Sequence, residues 1–159
     1  MLECGKTFEE FEQLNGISVE EMVSVFGAMM EAYPMIVRAN LTKNTYTMIK
    51  DDGFLVDDIP MTGRYDDMID IGVEGIHPNY QSVFLDNFSR ERLMQSYAQG
   101  KREVSAKLYQ KGRGNQYQWV STHVVRVEDK HGDICQVCIN KILGGGFTEE
   151  CARYSGQPS

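Results

Sequence analysis

The sequence predicts an α+β domain: one antiparallel sheet with helices packed on one of its faces. Two observations carry this. Apolar residues recur at helical spacing up to residue 33, alternate with period two at 35–49, return to helical spacing over 63–100, and alternate again from 103 to 143. Strands therefore stand at both ends with helices between them, an order that suits a single sheet whose middle segment crosses over one face.

The elements follow in order. Phe8, Phe11 and Leu14 have helical spacing, and Ser18-Val19-Glu20-Glu21 is a capping box, with Ser18 as N-cap and Glu21 three residues later. The helix it starts carries Met22, Val25, Phe26, Met29 and Met30, and must stop before Pro34. Residues 35–41 and 45–49 are rich in β-branched and aromatic side chains around the polar turn Thr42-Lys43-Asn44, a β-hairpin pattern. Asp51-Asp52-Gly53 ends it. Tyr65, Met68, Ile69 and Ile71 suggest a short helix. His77-Pro78 reads as a helix start with Pro in the first turn, followed by Tyr80, Val83, Phe84 and Phe88 on one face. Ser89 can cap a third helix bearing Leu93, Met94 and Tyr97, stopped by Gly100. Val104, Ala106 and Leu108 then alternate with polar residues. Gly112-Arg113-Gly114-Asn115 is a hairpin turn. In the next strand Tyr117, Trp119, Ser121, His123, Val125 and Val127 share one face, and Gln116, Gln118, Val120, Thr122, Val124 and Arg126 share the other. A turn at Lys130-His131-Gly132-Asp133 leads into the last strand. The division expected is a helical lead-in at 1–33, a compact domain at 34–143 and a Gly-rich flexible tail at 144–159.

The chain has 159 residues, enough for one domain with a useful core. Hydrophobic residues make up 42% and charged residues 25%, a soluble globular balance. A net charge of −7 argues against nucleic acid and anionic membrane as partners, because both need a basic face. No apolar run approaches the ~20 residues of a membrane span, and the acidic start MLECGKTFEEFEQ lacks a signal pattern. A cytoplasmic protein is expected.

The four cysteines are Cys4, Cys135, Cys138 and Cys151. Cys135 and Cys138 form a CxxC, but within a strand pattern. Three residues apart on a strand, they point to opposite faces and lie roughly 10 Å apart, too far for a disulfide. A redox CxxC sits at a helix start, where the dipole lowers the thiol pKa. A structural role for the pair is expected. No second ligand pair completes a zinc site, and no metal is expected.

The ordered set of segments resembles a PAS sensor domain over residues 33–143. It comprises IHPNYQSVFLDNFS at 76–89, REVSAKLYQK at 102–111, QYQWVSTHVVRVEDKHGD at 116–133 and ICQVCINKI at 134–142. The resemblance lies in a His-Pro before the mid-domain helix, an acid-led strand, a Tyr-x-Trp-Val strand and an Asp-x-x-Gly-Asp turn. It implies a five-stranded antiparallel sheet with helices across one face and a pocket between them. Such a pocket holds haem, flavin, a small metabolite or nothing, so the cofactor stays open. The family signals by shifts in strand or flanking-helix packing, often as a homodimer. In bacterial signal transduction it often precedes a diguanylate cyclase or histidine kinase effector. Residues 63–100 contain no cysteine, which argues against flavin–cysteine photochemistry, and His77 reads as a turn residue rather than a haem ligand. Lys141-Ile142-Leu143-Gly144-Gly145-Gly146 replaces the family's usual exit from the last strand.

Candidate ligand-binding residues follow. Trp119, Ser121 and His123 could bind a polar or aromatic ligand if their face lines the helical side, and form a partner surface if it faces away. Tyr46 and Met48 on the early hairpin, with Tyr65, Met68, Tyr80 and Phe84 on helices, could line the rest of the pocket or simply pack the core. Asp51, Asp52, Asp57, Asp58, Asp66, Asp67 and Asp70 lack calcium-loop spacing and read as a solvated face. A sensor rather than an enzyme is expected. The alternative is a small α+β enzyme using an Asp–Tyr pair from Asp66, Asp67, Tyr65 and Tyr80, or His123 with Cys135 or Cys138.

Overall fold

A computed structural model describes residues 16, 18–54 and 58–144. The helical lead-in at 7–14, Cys4, Asp57, Cys151 and nearly all of the tail lie outside the described residues. Helix α1 spans Val19–Ala32. Its N-cap Ser18 accepts a 3.0 Å hydrogen bond from the backbone N–H of Glu21, and Tyr33, before Pro34, is already extended. The sheet strands are β1 (Met35–Asn40), β2 (Thr45–Asp51), β3 (Thr62–Arg64), β4 (Glu103–Lys111), β5 (Tyr117–Val127) and β6 (Cys135–Ile142). Between β3 and β4 run α2 (Tyr65–Glu74), a 3-10 turn (Pro78–Tyr80), α3 (Gln81–Phe88) and α4 (Arg90–Ala98).

The sheet is antiparallel in the order β3-β2-β1-β6-β5-β4, so the first and last long strands are neighbours at its centre. This is the α+β arrangement expected, one antiparallel sheet crossed by helices, with six strands where five were expected. The extra strand is the short β3, which pairs Thr45 with Arg64 and Thr47 with Thr62 on the edge of β2. The sequence pattern starts a helical stretch at 63, inside this strand. Three residues are too few to show a period, and only pairing with β2 extends them.

The turns behave as their residues dictate. Asn44, Gly114, Asn115 and Gly132 take positive φ, the region where Asn and Gly cost least. Ser89 caps α4, and Gly100 follows it at φ +89°. Asp129 Oδ2 accepts from the backbone N–H groups of His131 and Asp133, closing the β5–β6 turn.

Strand register sorts the faces. Val37 pairs with Met48 and Cys138, Ala39 with Tyr46 and Gln136, Thr122 with Ala106 and Asn140, and Val124 with Cys138. These residues face the helices. The core they build with Tyr65, Ile76, Phe88, Leu93 and Tyr97 is continuous. Val120, Thr122 and Val124 are buried whereas Tyr117, Trp119, Ser121 and His123 are only half-buried, so the face of β5 that the sequence left open is decided. Among the described residues, no helix is long and apolar enough to cross a membrane.

Candidate functional site

A cavity of about 60 Å³ lies between the sheet and the helices. Its floor comes from β1 (Val37, Ala39), β5 (Thr122, Val124), β6 (Gln136, Cys138, Asn140) and Gln110 of β4. Its roof comes from α2 (Tyr65, Met68, Ile69), Ile76 and α3 (Phe84, Phe88), with Phe54 and Ile59 on the side of the β2–β3 connection. The roof is apolar because each helix turns its periodic apolar stripe to the sheet. The floor is different. Four buried polar residues, Gln110, Thr122, Gln136 and Asn140, line it. Its volume is several times what one water requires.

The polar groups are mostly engaged with each other. The Thr122 hydroxyl donates to Asn140 Oδ1 at 2.8 Å, and Asn140 Nδ2 donates weakly to Cys138 Sγ at 3.5 Å. The Tyr97 hydroxyl donates to Gln136 Oε1 at 2.6 Å. Tyr65, first residue of α2, donates to the carbonyl of Phe88 at 2.7 Å, tying α2 to the end of α3. Among the described residues, Gln136 Nε2 is buried and makes no hydrogen bond. Burial pushes the Tyr65 phenol well above its usual value; the nearby Cys138 adds to this and the Gln136 amide opposes it. Burial likewise pushes the Cys138 thiol up to about 12, with Asn140 opposing. Both groups are therefore protonated and neutral at pH 7.

Of the nine candidate residues, Tyr65, Met68 and Phe84 line the cavity. Tyr46 and Met48 are buried in the same core but stand beyond the cavity lining. Tyr46 donates its hydroxyl to the Pro60 carbonyl and packs its ring on Gly63, fastening β3 to the sheet. Tyr80 sits against Trp119, edge-on at 5.2 Å between ring centres. Trp119, Ser121 and His123 are on the opposite face of the sheet, so the contact expected of them with a pocket ligand is not met by this cavity. His123 Nε2 stands 3.2 Å from Glu103 Oε2 there. It is thus separated by the sheet from Cys138, and it pairs with Ile139, four residues along β6 from Cys135, so neither thiol pair weighed from the sequence is assembled. Nor is the Asp–Tyr pair, since Asp66 is engaged by Asn44 and by Arg64 at the start of α2, and Asp67 is exposed.

The outer face carries a second cluster. His77, Tyr80, Tyr109, Tyr117 and Trp119 form a chain of ring contacts with centroid separations of 4.9–6.4 Å. The segment around Ile76 reaches it by pairing with the free edge of β4, where His77 N–H donates to Tyr109 O and Lys111 N–H to Gly75 O. The His77 ring caps the 3-10 turn by accepting at Nδ1 from Asn79 N–H at 3.1 Å. Its role is that of a turn residue.

Sequence reasoning missed the polar floor. The signal existed in β6, where Gln136, Cys138 and Asn140 share a parity and Val137 and Ile139 share the other. Reading the apolar parity as the inner one would give the reverse of the observed arrangement.

No family model matches the chain, and no curated protein matches it. Among solved structures, the fold is similar to a sensory box histidine kinase/response regulator from Burkholderia thailandensis E264. There the identity is 12% and the TM-score 0.47, over 85% of this chain and 92% of that one. It is also similar to an RNA-binding light-oxygen-voltage receptor, at 10% identity and a TM-score of 0.48. That match covers 77% of this chain and 33% of the receptor chain.

Proposed function

We propose that this chain is a regulatory sensor domain of bacterial signal transduction, working in the cytoplasm, in which a small ligand enters the cavity between sheet and helices. The observation that carries the reading is the cavity itself: an apolar roof over a floor of neutral hydrogen-bonding side chains, set between the central strands and the crossing helices. Occupancy there bears directly on β1 and β6, the two strands at the chain's outer ends. Repacking of that pair is a route from the ligand to α1 and to an effector beyond either terminus. Catalysis fits the cavity poorly. Among the described residues its titratable lining groups are Tyr65 and Cys138, both held protonated by burial, so neither supplies a base or a thiolate.

The test is mass spectrometry of the purified protein under native and then denaturing conditions, with an absorption spectrum of the same sample. A mass released on denaturation, or absorbance beyond the Trp and Tyr bands, supports the sensor reading. A bare chain that no small molecule stabilises removes it.

A second reading, an interaction module that pairs with another copy of itself, is favoured by α1. The helix has no buried residue. Phe26 is 56% and Val23 65% exposed, a concentration of apolar surface that a lone helix does not retain without a partner. The half-buried outer sheet face offers Trp119, Val137 and Ile139 as its counterpart.

A further inference from the structure

We infer that the cavity selects an uncharged ligand with a compact apolar body and one hydrogen-bond acceptor, a carbonyl or an equivalent lone pair, held by Nε2 of Gln136. The inference rests on the sensor reading above and deepens it.

The acceptor requirement comes from the bonding of the floor. The Thr122 hydroxyl and the Asn140 amide nitrogen each donate to a neighbour on the floor, to Asn140 Oδ1 and to Cys138 Sγ. Gln136 is fully buried, and its two ends differ. Tyr97 on α4 donates to Oε1, which leaves Nε2 as the unbonded end of an amide whose residue lines the cavity. No acceptor among the described residues reaches that Nε2. A buried N–H left unpaired costs roughly 1–3 kcal/mol, so a ligand that supplies the missing lone pair recovers a term that an apolar isostere cannot. The Tyr65 phenol oxygen lies close to the Gln136 amide, but no hydrogen bond from Nε2 to it is formed, and its own proton goes to Phe88 O, so a ligand carbonyl competes with a site that is near but not engaged.

The uncharged requirement comes from the lining. No Lys, Arg, His, Asp or Glu contributes to it among the described residues. A charge brought into this site would be desolvated without a counter-charge. The apolar body is set by Met68, Ile69 and Phe84 across from Gln136, and the methionine gives the roof some capacity to adapt. The cavity is well below the several hundred cubic ångströms of a drug-sized site, so the body is that of a single small ring.

Three probes of nearly one shape separate these requirements: cyclopentanone, its alkene isostere methylenecyclopentane, and cyclobutanecarboxylate. Each is titrated into the full chain and into the Gln136→Met variant. Binding is followed by the side-chain amide resonance of Gln136 in the wild type and by cavity methyl resonances in both. The expected result is a ketone-to-alkene affinity ratio about tenfold higher in the wild type than in Gln136→Met, a displaced Gln136 amide resonance with the ketone alone, and no binding of the carboxylate. If Gln136→Met does not fold, Gln136→Leu replaces it and carries the same expectation, since it too removes the donor. Equal ratios in wild type and variant overturn the role of Gln136 while leaving the cavity a ligand site. Preference for the carboxylate overturns the uncharged class. No binding of any probe, together with a chain that carries no releasable ligand, overturns the sensor reading as well.

Discussion

The hydroxyl of Tyr97, on the last helix of the crossover, donates a 2.6 Å hydrogen bond to Oε1 of Gln136 on the central strand β6. The two residues are 39 positions apart in sequence, and both are buried. The bond ties a helix to the cavity floor and leaves the other end of the amide unbonded among the described residues.

Removing that tie is costly. Tyr97→Phe keeps the ring and its 5.8 Å contact with the Arg126 guanidinium but strips the donor from a buried oxygen. A loss of about 1–3 kcal/mol is expected, read as a lower denaturation midpoint in urea with an unchanged slope. A midpoint equal to that of the wild type would mean the amide finds another donor by rotation.

The Cys138 thiol is held protonated. Burial raises its pKa to about 12 from an ordinary value of 9.0. Iodoacetamide at pH 8 is expected to leave Cys138 unmodified in the folded chain and to label it in urea, as peptide mapping by mass would show. The sign of the pH dependence follows. The unfolded thiol ionises first as pH rises, so stability is complete below about pH 9 and falls between there and about pH 12. Burial raises the Tyr65 and Tyr97 phenols in the same direction. Cys138→Ala should flatten the early part of that fall, as melting curves taken across the alkaline range would show.

Trp119 reports on the outer face and not on the cavity. Its ring meets Tyr80 edge-on at 5.2 Å and Tyr109 at 5.0 Å. Tyr80→Ala should redden the emission of this single tryptophan and cost about 0.5–1.5 kcal/mol beyond the area lost. A ligand that fills the cavity should move the emission little. Strong quenching by a cavity ligand would place Trp119 nearer the site than the register of β5 does.

The exposed apolar residues of α1 predict the behaviour of the chain in solution. If α1 pairs two copies, Phe26→Asp shifts sedimentation towards the monomer and leaves the melting temperature of the remaining fold nearly unchanged. That independence is expected because α1 contributes no buried residue to the core. A wild type that is already monomeric at high concentration removes the pairing reading.

The glycine at 114 is fixed by backbone geometry. Its φ of +78° lies in the left-handed region, and a Cβ there meets no neighbour within 4 Å. Gly114→Ala should therefore cost about 1 kcal/mol through conformation alone, seen as a small fall in thermal stability without loss of the β4–β5 pairing.

Much of the architecture was legible because it depends on local chemistry. Ser18 and Ser89 cap helices, Pro34 and Gly100 bound them, and Asn44, Gly114 and Gly132 turn the chain, each through an interaction spanning a few residues. The switch of period from 3.6 to 2 gave the long strands and the crossing helices. What failed was what depends on distant pairing. β3 exists because Thr62–Arg64 happens to meet the edge of β2, and three residues carry no period of their own.

The sequence by itself determined the class of fold, the order of its long elements and the two candidate faces of β5, because backbone periodicity and turn chemistry are properties of neighbours in the chain. Which face is inner was decided by tertiary structure. Both parities of β5 and β6 mix apolar and polar groups, so burial of one side depends on what the rest of the molecule can satisfy. The structure buries Thr122, Gln136 and Asn140, because Tyr97 from α4 and Thr122 and Asn140 from paired strands supply partners that no local pattern contains. The cavity, its polar floor and the unbonded Nε2 of Gln136 are consequences of that choice.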